Sequence, residues 1–179
     1  MDTGSPGGLL RDREVDVKTE PGVKEGIASA LRCLPSGVFL LTARYEDRRA
    51  GLLVTWVQQC CEQPPMLCVC VPKGRAIMPL ISESAEFALC HLSEDDRVIR
   101  RKFRKEVDPA EDAFLAFNLL RQTETGAPVI SSVAAFFECI VSCHMDVDGD
   151  HDLFVGKVVN GGCLNGRPAV IPPECELPR

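Results

Sequence analysis

Four short stretches of the sequence carry residue types that could do chemistry. The first alternates Asp146, Asp148, Asp150 and Asp152 around Gly149 and His151. Alternating carboxylates can ligate calcium, but a loop of that kind counted from Asp146 needs Gly at its sixth position and Glu at its twelfth, where this chain has His151 and Lys157. A solvated hairpin turn is the better reading. His151 sits in that polar turn between two apolar runs, either as a plain surface residue or as a group that handles protons near neutrality. The second stretch is Lys73-Gly74-Arg75, at the end of an apolar run and the start of a helical pattern. Free backbone N–H groups and a helix dipole favour a phosphate there. The same residues also make an ordinary basic turn, and neither a Walker loop nor a Gly-x-Gly-x-x-Gly pattern is present. The third stretch, Thr55-Trp56-Val57-Gln58-Gln59-Cys60-Cys61, turns an apolar run polar just before Pro64-Pro65. It reads as a ligand rim or as an edge strand with Trp56 packed in the core. The fourth feature is cysteine. None of the ten is spaced Cys-x-x-Cys, so zinc and thioredoxin-like chemistry lack their signature and no metal centre is expected. Cys68 and Cys70, and Cys139 and Cys143, fall in apolar runs where a strand would bury them as reduced, small fillers.

The elements that must position these groups are mostly strands. Val38–Thr42, Gly51–Val57, Met66–Val71, Glu86–Leu92, Ala134–Cys143 and Leu153–Asn160 are apolar runs bounded by Gly, Pro, Asp and Asn. The first two are joined by the charged turn Glu46–Arg49, and the last two by Asp146–Asp152. Helical spacing is found in Val23–Leu34, which Pro35 stops, and in Arg75–Ser82. Ser93-Glu-Asp-Asp96 is a capping-box variant that starts a helix running to about Phe103. Residues 104–128 read as a long loop with a brief helix over Ala113–Leu120, of a length that suits a lid or binding loop. Six strands with short turns favour a closed or partly closed barrel over a doubly wound sheet, in a mainly β chain with short helices.

Composition limits the functions on offer. A chain of 179 residues, 45% apolar and 26% charged, can bury one core without metals or disulfides. No apolar run approaches the ~20 residues of a membrane span. The net charge of −6 argues against nucleic acid as a partner. The opening residues do not read as a secretory signal, so a cytoplasmic protein is expected. Three parts follow: residues 1–22 as a Gly-, Pro- and charge-rich arm, 23–164 as the folded domain, and 165–179 as a Pro-rich tail.

Taken in order, the stretches resemble the flavin reductases built on an FMN-binding split barrel. Leu34-Pro-Ser-Gly-Val-Phe-Leu-Leu-Thr-Ala43 looks like the family's opening Pro-Thr/Ser-Gly-Val strand, and Gly51 to Pro65 is similar to its flavin-contacting strand and Pro-Pro. Phe87–Leu92 fits the following strand, and Gly149-Asp150-His151 matches the Gly-Asp-His signature before Leu153–Val158. The Trp-Val-x-Gln variant also looks like the reductase module of flavodiiron proteins. The resemblance implies a six-stranded split barrel that binds FMN, with FAD as the alternative, and takes a hydride from NADH or NADPH. Electrons would pass to oxygen, iron or a partner oxygenase. It implies that Thr55, Trp56, Val57, Gln58, Cys60 and Cys61 line the flavin, that Lys73 and Arg75 hold its phosphate, and that His151 lies near the isoalloxazine and nicotinamide. A homodimer is implied as well. Two other readings go with it: an FMN-binding electron carrier without nicotinamide oxidation of its own, and a structural dimer that has lost flavin. Cysteines where relatives often have hydroxyl residues remove good hydrogen-bond partners and add oxidisable thiols.

Overall fold

The computed structural model describes residues 21–105 and 111–171. Helix α1 (Pro21–Arg32) forms one unit by itself, close to the helix expected over 23–34. The remainder is an antiparallel sheet of seven strands: β2 (Phe39–Tyr45), β3 (Arg48–Val54), β4 (Val57–Cys61), β5 (Met66–Pro72), β6 (Glu86–His91), β7 (Ala135–Asp146) and β8 (His151–Cys163). Their order is β3-β2-β6-β7-β8-β5-β4. A two-stranded ladder, β1 (Ser36–Gly37) with β9 (Val170–Ile171), adjoins it, and α2 (Ile77–Ser84) and α3 (Arg97–Phe103) pack on it.

The expected six-stranded barrel is therefore a seven-stranded, unclosed sheet. The run Gly51–Val57, read as one strand, is two. It breaks at Thr55-Trp56, where the Val57 N–H turns back to the Thr55 carbonyl (3.1 Å) and the chain leaves β2 to pair with β5. Strands β3 and β4 are the two edges of the sheet, yet their ends are three peptide steps apart, a reach of at most about 11 Å. The sheet must curl until its edges meet at this corner. No ladder joins β3 to β4, so the barrel stays split there.

Two apolar clusters explain the strand patterns. Inside the curl, Leu41, Val69, Val71, Phe87, Leu89 and Phe154 pack together under Ile77, Leu80 and Ile81 of α2. On the other face, Leu40, Ala88, Cys90 and Leu92 are covered by Ile99 and Phe103 of α3 and by Phe114, Val129 and Ile130. Strands β2 and β6 are thus buried on both faces and read as continuous apolar runs. Gly156 of β8 allows a close approach in the core: a Cβ there would stand 2.5 Å from Phe87 Cζ and 2.7 Å from Cys139 Cβ.

The helix expected over Ala113–Leu120 is instead a series of turns. Asp112 accepts from the Phe114 N–H (3.0 Å) with one oxygen and binds Arg49 with the other, so a side chain competes for backbone that a helix would use. Glu138, fully buried on β7, ties this segment to the sheet. Its carboxylate accepts from the Glu124 N–H, the Thr125 N–H and hydroxyl, and Asn160 Nδ2. Helix α3 starts at Arg97 rather than Ser93; only one arm of the capping box forms, from the Ser93 N–H to Asp96 Oδ2 (2.7 Å). Residues 165–169 return to the sheet, where Ala169 bonds Val38 and Leu92 through its backbone.

Cys60, Cys61, Cys68, Cys70, Cys90, Cys139, Cys143 and Cys163 carry free thiols. Cys90 and Cys139 are buried fillers, and burial pushes their thiols up to about 12. Cys68 and Cys70 are half-buried and Cys143 is exposed, because the inward positions of β5 belong to Val69 and Val71. No helix of the described residues is long and apolar enough to cross a membrane.

Candidate functional site

The corner where the sheet edges meet brings three of the four chemically suggestive stretches together. Trp56 is not core: it is 57% exposed, while its carbonyl accepts from the Cys70 N–H (3.0 Å) and anchors the connector to β5. Its ring lies 4.7 Å from that of His151, tilted by 39°. His151 opens β8 opposite Pro72, so the ladder between β5 and β8 sets the ring beside the connector. Its Nδ1 is 2.7 Å from Asp150 Oδ1. A carboxylate can only accept, so Nδ1 donates, and in the neutral ring Nε2 is left as the acceptor. The hydrogen bond from His151 holds the Asp150 carboxyl below the usual carboxylate range.

Lys73 lies one residue beyond the same ladder, before Gly74, whose φ of +78° makes the turn into α2. Its N–H donates to the Asp150 carbonyl (2.9 Å), so the two turns are bonded directly. Its ammonium sits 2.5 Å from Asp146 Oδ1 and 3.7 Å from Asp152 Oδ1. The Asp146 hydrogen bond raises the lysine pKa above its ordinary value. Asp152 is buried, its side chain 8% exposed; Oδ2 accepts from His144 Nε2 (2.9 Å), whereas Oδ1 has no hydrogen-bond partner. His144 in turn stacks on Phe154, centroids 4.3 Å apart and planes nearly parallel at 4°. Arg75 is half-buried in the turn, and its carbonyl accepts from the Met78 N–H (3.0 Å). The expected hairpin turn carries an ion-pair network around one lysine.

Beside the connector opens a cavity of about 340 Å³, within the usual range for small ligands, walled by Val57, Gln58, Gln59, Phe39, Phe137 and His91 among others. Val57 and Gln58 are residues singled out from the sequence; Cys60 and Cys61 lie further along β4 and do not line it. His91 was not singled out. Its ring stacks on Phe39 at 4.2 Å, and its Nε2 donates to the Ala169 carbonyl at 3.2 Å. Desolvation pulls its pKa below the ordinary value, leaving a neutral ring with Nδ1 as acceptor. A larger cleft of about 570 Å³ lies against α3 between Arg101, Arg104 and Phe117, but it contains none of these groups. Among the described residues, no three or more His, Cys, Asp or Glu side chains are grouped to hold a metal.

The split antiparallel sheet thus carries a ligand-sized cavity and, at its corner, the Trp56–His151 ring pair. The comparisons give the family. A family model described as "Flavin reductase like domain" matches residues 31–170, and the chain belongs to that family. It is 31% identical over 158 residues to putative diflavin flavoprotein A 6 of Nostoc sp. strain PCC 7120, an alignment that covers 88% of this chain and 27% of the relative. The chain thus spans about a quarter of the length of the curated relatives it matches. Its fold is similar to that of the NADH:FAD oxidoreductase SgcE6 of Streptomyces globisporus C-1027, solved with NAD and FAD fragments (TM-score 0.72, 21% identity, 86% of this chain and 91% of that one). It is similar also to the styrene monooxygenase flavin reductase of Pseudomonas putida S12 (TM-score 0.68, 23% identity, 86% and 99%).

Proposed function

We propose that the chain is a flavin reductase that binds FMN, with FAD as the alternative, takes a hydride from NADH or NADPH, and passes electrons to oxygen, iron or a partner oxygenase in the cytoplasm. The observation that carries this reading is the meeting of Trp56, His151 and Lys73 at the corner from which β4 runs on through Val57 and Gln58 into the cavity wall.

The residues present fit a flavin. Apolar walls suit the dimethylbenzene side of its ring, and the Gln58 and Gln59 amides offer both donors and acceptors for the polar edge. Bound flavin supplies the hydride acceptor; the protein's part is to bind, orient and exclude water. Thr55, Trp56, Val57 and Gln58 form the connector and cavity edge that would hold the ring, with Cys60 and Cys61 following on β4. Lys73 and Arg75 would face the phosphate. His151, its tautomer fixed by Asp150, would orient the nicotinamide against the Trp56 side of the site.

A homodimer belongs to this reading. Cys70, Leu153 and Met145 form one cross-strand row, and Cys68, Val155 and Cys143 the next, on the face of β5, β8 and β7 turned away from the core. Ile140 and Met145 there are 45% and 41% exposed. A second copy would cover these rows.

The test is to add FMN to the purified protein, remove free flavin, record the visible spectrum without oxygen, and add NADH or NADPH. Retained flavin that bleaches supports the reductase. Retained flavin that stays yellow replaces it with an electron carrier reduced by another protein, and no retained or turned-over flavin rejects both.

A further inference from the structure

The rim expected to meet a flavin phosphate is already filled with the chain's own carboxylates. Lys73, the cation nearest the His151 turn, has its ammonium between Asp146 at 2.5 Å and Asp152 at 3.7 Å, and its N–H on the Asp150 carbonyl. Asp148 and Asp150 act on the same lysine at longer range. A phosphate arriving at Lys73 meets an ammonium already paired with two carboxylates beside a turn of four aspartates, and Arg75, the other cation of the turn, is half-buried.

The two near carboxylates hold the lysine differently. Asp146 is exposed, its side chain 73% accessible, and can give up its partner at small cost. Asp152 is buried, and its Oδ1 has no hydrogen-bond donor, so the Lys73 ammonium at 3.7 Å is its cationic partner, while Oδ2 accepts from His144. Withdrawing Lys73 toward a phosphate would strip a buried carboxylate oxygen of its counter-charge. The lysine therefore stays near Asp152 and can share itself with a phosphate only by displacing Asp146.

We propose that this carboxylate clamp sets the substrate class of the site: flavins are taken with little regard to their 5′-phosphate, so riboflavin and FMN bind with similar strength, and Asp146 is the specificity-determining residue. The inference rests on the flavin reading above and adds which flavins the site accepts.

The experiment is a titration of the full chain with riboflavin and, separately, FMN, followed by quenching of flavin fluorescence at low ionic strength. For the unaltered chain the two dissociation constants should agree within about threefold, the scale of one exposed ion pair. Asp146→Asn should tighten FMN by about two- to fivefold, leave riboflavin unchanged, and lose the gain at high salt. Adding Lys73→Met to Asp146→Asn should abolish the gain. Asp146 is exposed enough that the folded state should survive, which circular dichroism verifies. A tenfold or greater preference for FMN in the unaltered chain, or an Asp146→Asn protein that binds FMN no more tightly, overturns the inference while leaving the flavin reading intact. Binding of neither flavin overturns the flavin reading and this inference with it.

Discussion

The two flanks of the sheet are built for different ends. Along β2 and β6 both faces are covered: Phe87 and Leu89 point into the curl, while Ala88 and Cys90 lie under α3 and the 111–134 segment, all of them fully buried. Along β4, on the opposite edge, Gln58, Gln59 and Cys60 are exposed and no strand covers the outer side. A strand buried twice contributes stability but has no surface to offer. A strand buried once, at an edge whose neighbour leaves at a two-residue corner, can present side chains and backbone to a ligand. The chemically suggestive side chains Trp56, Lys73 and His151 are accordingly collected at the split, and the polar groups inside the doubly covered flank serve to fasten it.

The sharpest way to break that division is at Glu138. Replacing it with Ala leaves four donors inside a covered flank without their acceptor, and stability should fall by about 3 kcal/mol or more in urea unfolding, the scale seen when a buried charged network loses its centre. A loss under about 1 kcal/mol would mean that the 111–134 segment is held by its apolar contacts alone. Next in size is Gly156→Ala. The new methyl would overlap Phe87 and Cys139, neither with room to move, and overpacking of this kind costs about 1–3 kcal/mol. Wild-type stability in that variant would show that β8 can shift against the core.

The same division governs what the sequence reveals. Strands covered on both faces announce themselves as apolar runs, and all of them are legible in the composition of short windows. The corner is not. Within Gly51–Val57 only Thr55 interrupts the run, and nothing local states that Val54 pairs with Phe39 while Val57 pairs with Val69. The pairing depends on register set by distant strands. Trp56, Gln58, Lys73 and His151 could be singled out because each is polar or bulky where a run ends. His91 could not, since its partners Phe39 and Ala169 are 52 and 78 residues away and nothing in its own window points to either. Glu138 did leave a signal, a lone carboxylate inside Phe136-Phe137-Glu138-Cys139, and a charge in a doubly buried run demands partners. In the 113–120 segment the brief helix expected within the loop does not form, because the side chains of Ala113 and Phe114 pack into the outer cluster as a turn, so tertiary contact overrides propensity.

At the open edge, mutations should touch turnover and spare the fold. Trp56→Ala and His151→Ala each remove one half of the ring pair at the corner, Trp56 exposed and His151 half-buried, and either should lower NAD(P)H consumption with added flavin by about tenfold, near the upper worth of an aromatic contact. Their unfolding midpoints should stay within about 0.5 kcal/mol of the parent, as befits a surface change. Equal turnover with either ring missing would move the site away from this corner, whereas a large loss of stability would show that the pair fastens the sheet edges together.

The smallest expected effect lies between the two flanks, at His91, which closes the cavity from the end of β6. Burial against Phe39 lowers its folded-state pKa below the unfolded value near 6.5. The unfolded chain therefore binds the proton more readily, so this contribution to stability is fully present above pH 6.5 and is lost as pH falls through the lowered folded value. Protonation would put a charge beside an aromatic face and a cavity wall while Nε2 keeps its bond to the Ala169 carbonyl. Comparing the unfolding midpoint of the parent and His91→Gln across pH 5 to 7.5 isolates the term: the parent should lose stability on acidification more steeply than the variant. Parallel curves would mean that the ring is as well solvated as in the unfolded chain, and the cavity beside it would then be wetter than its apolar walls suggest.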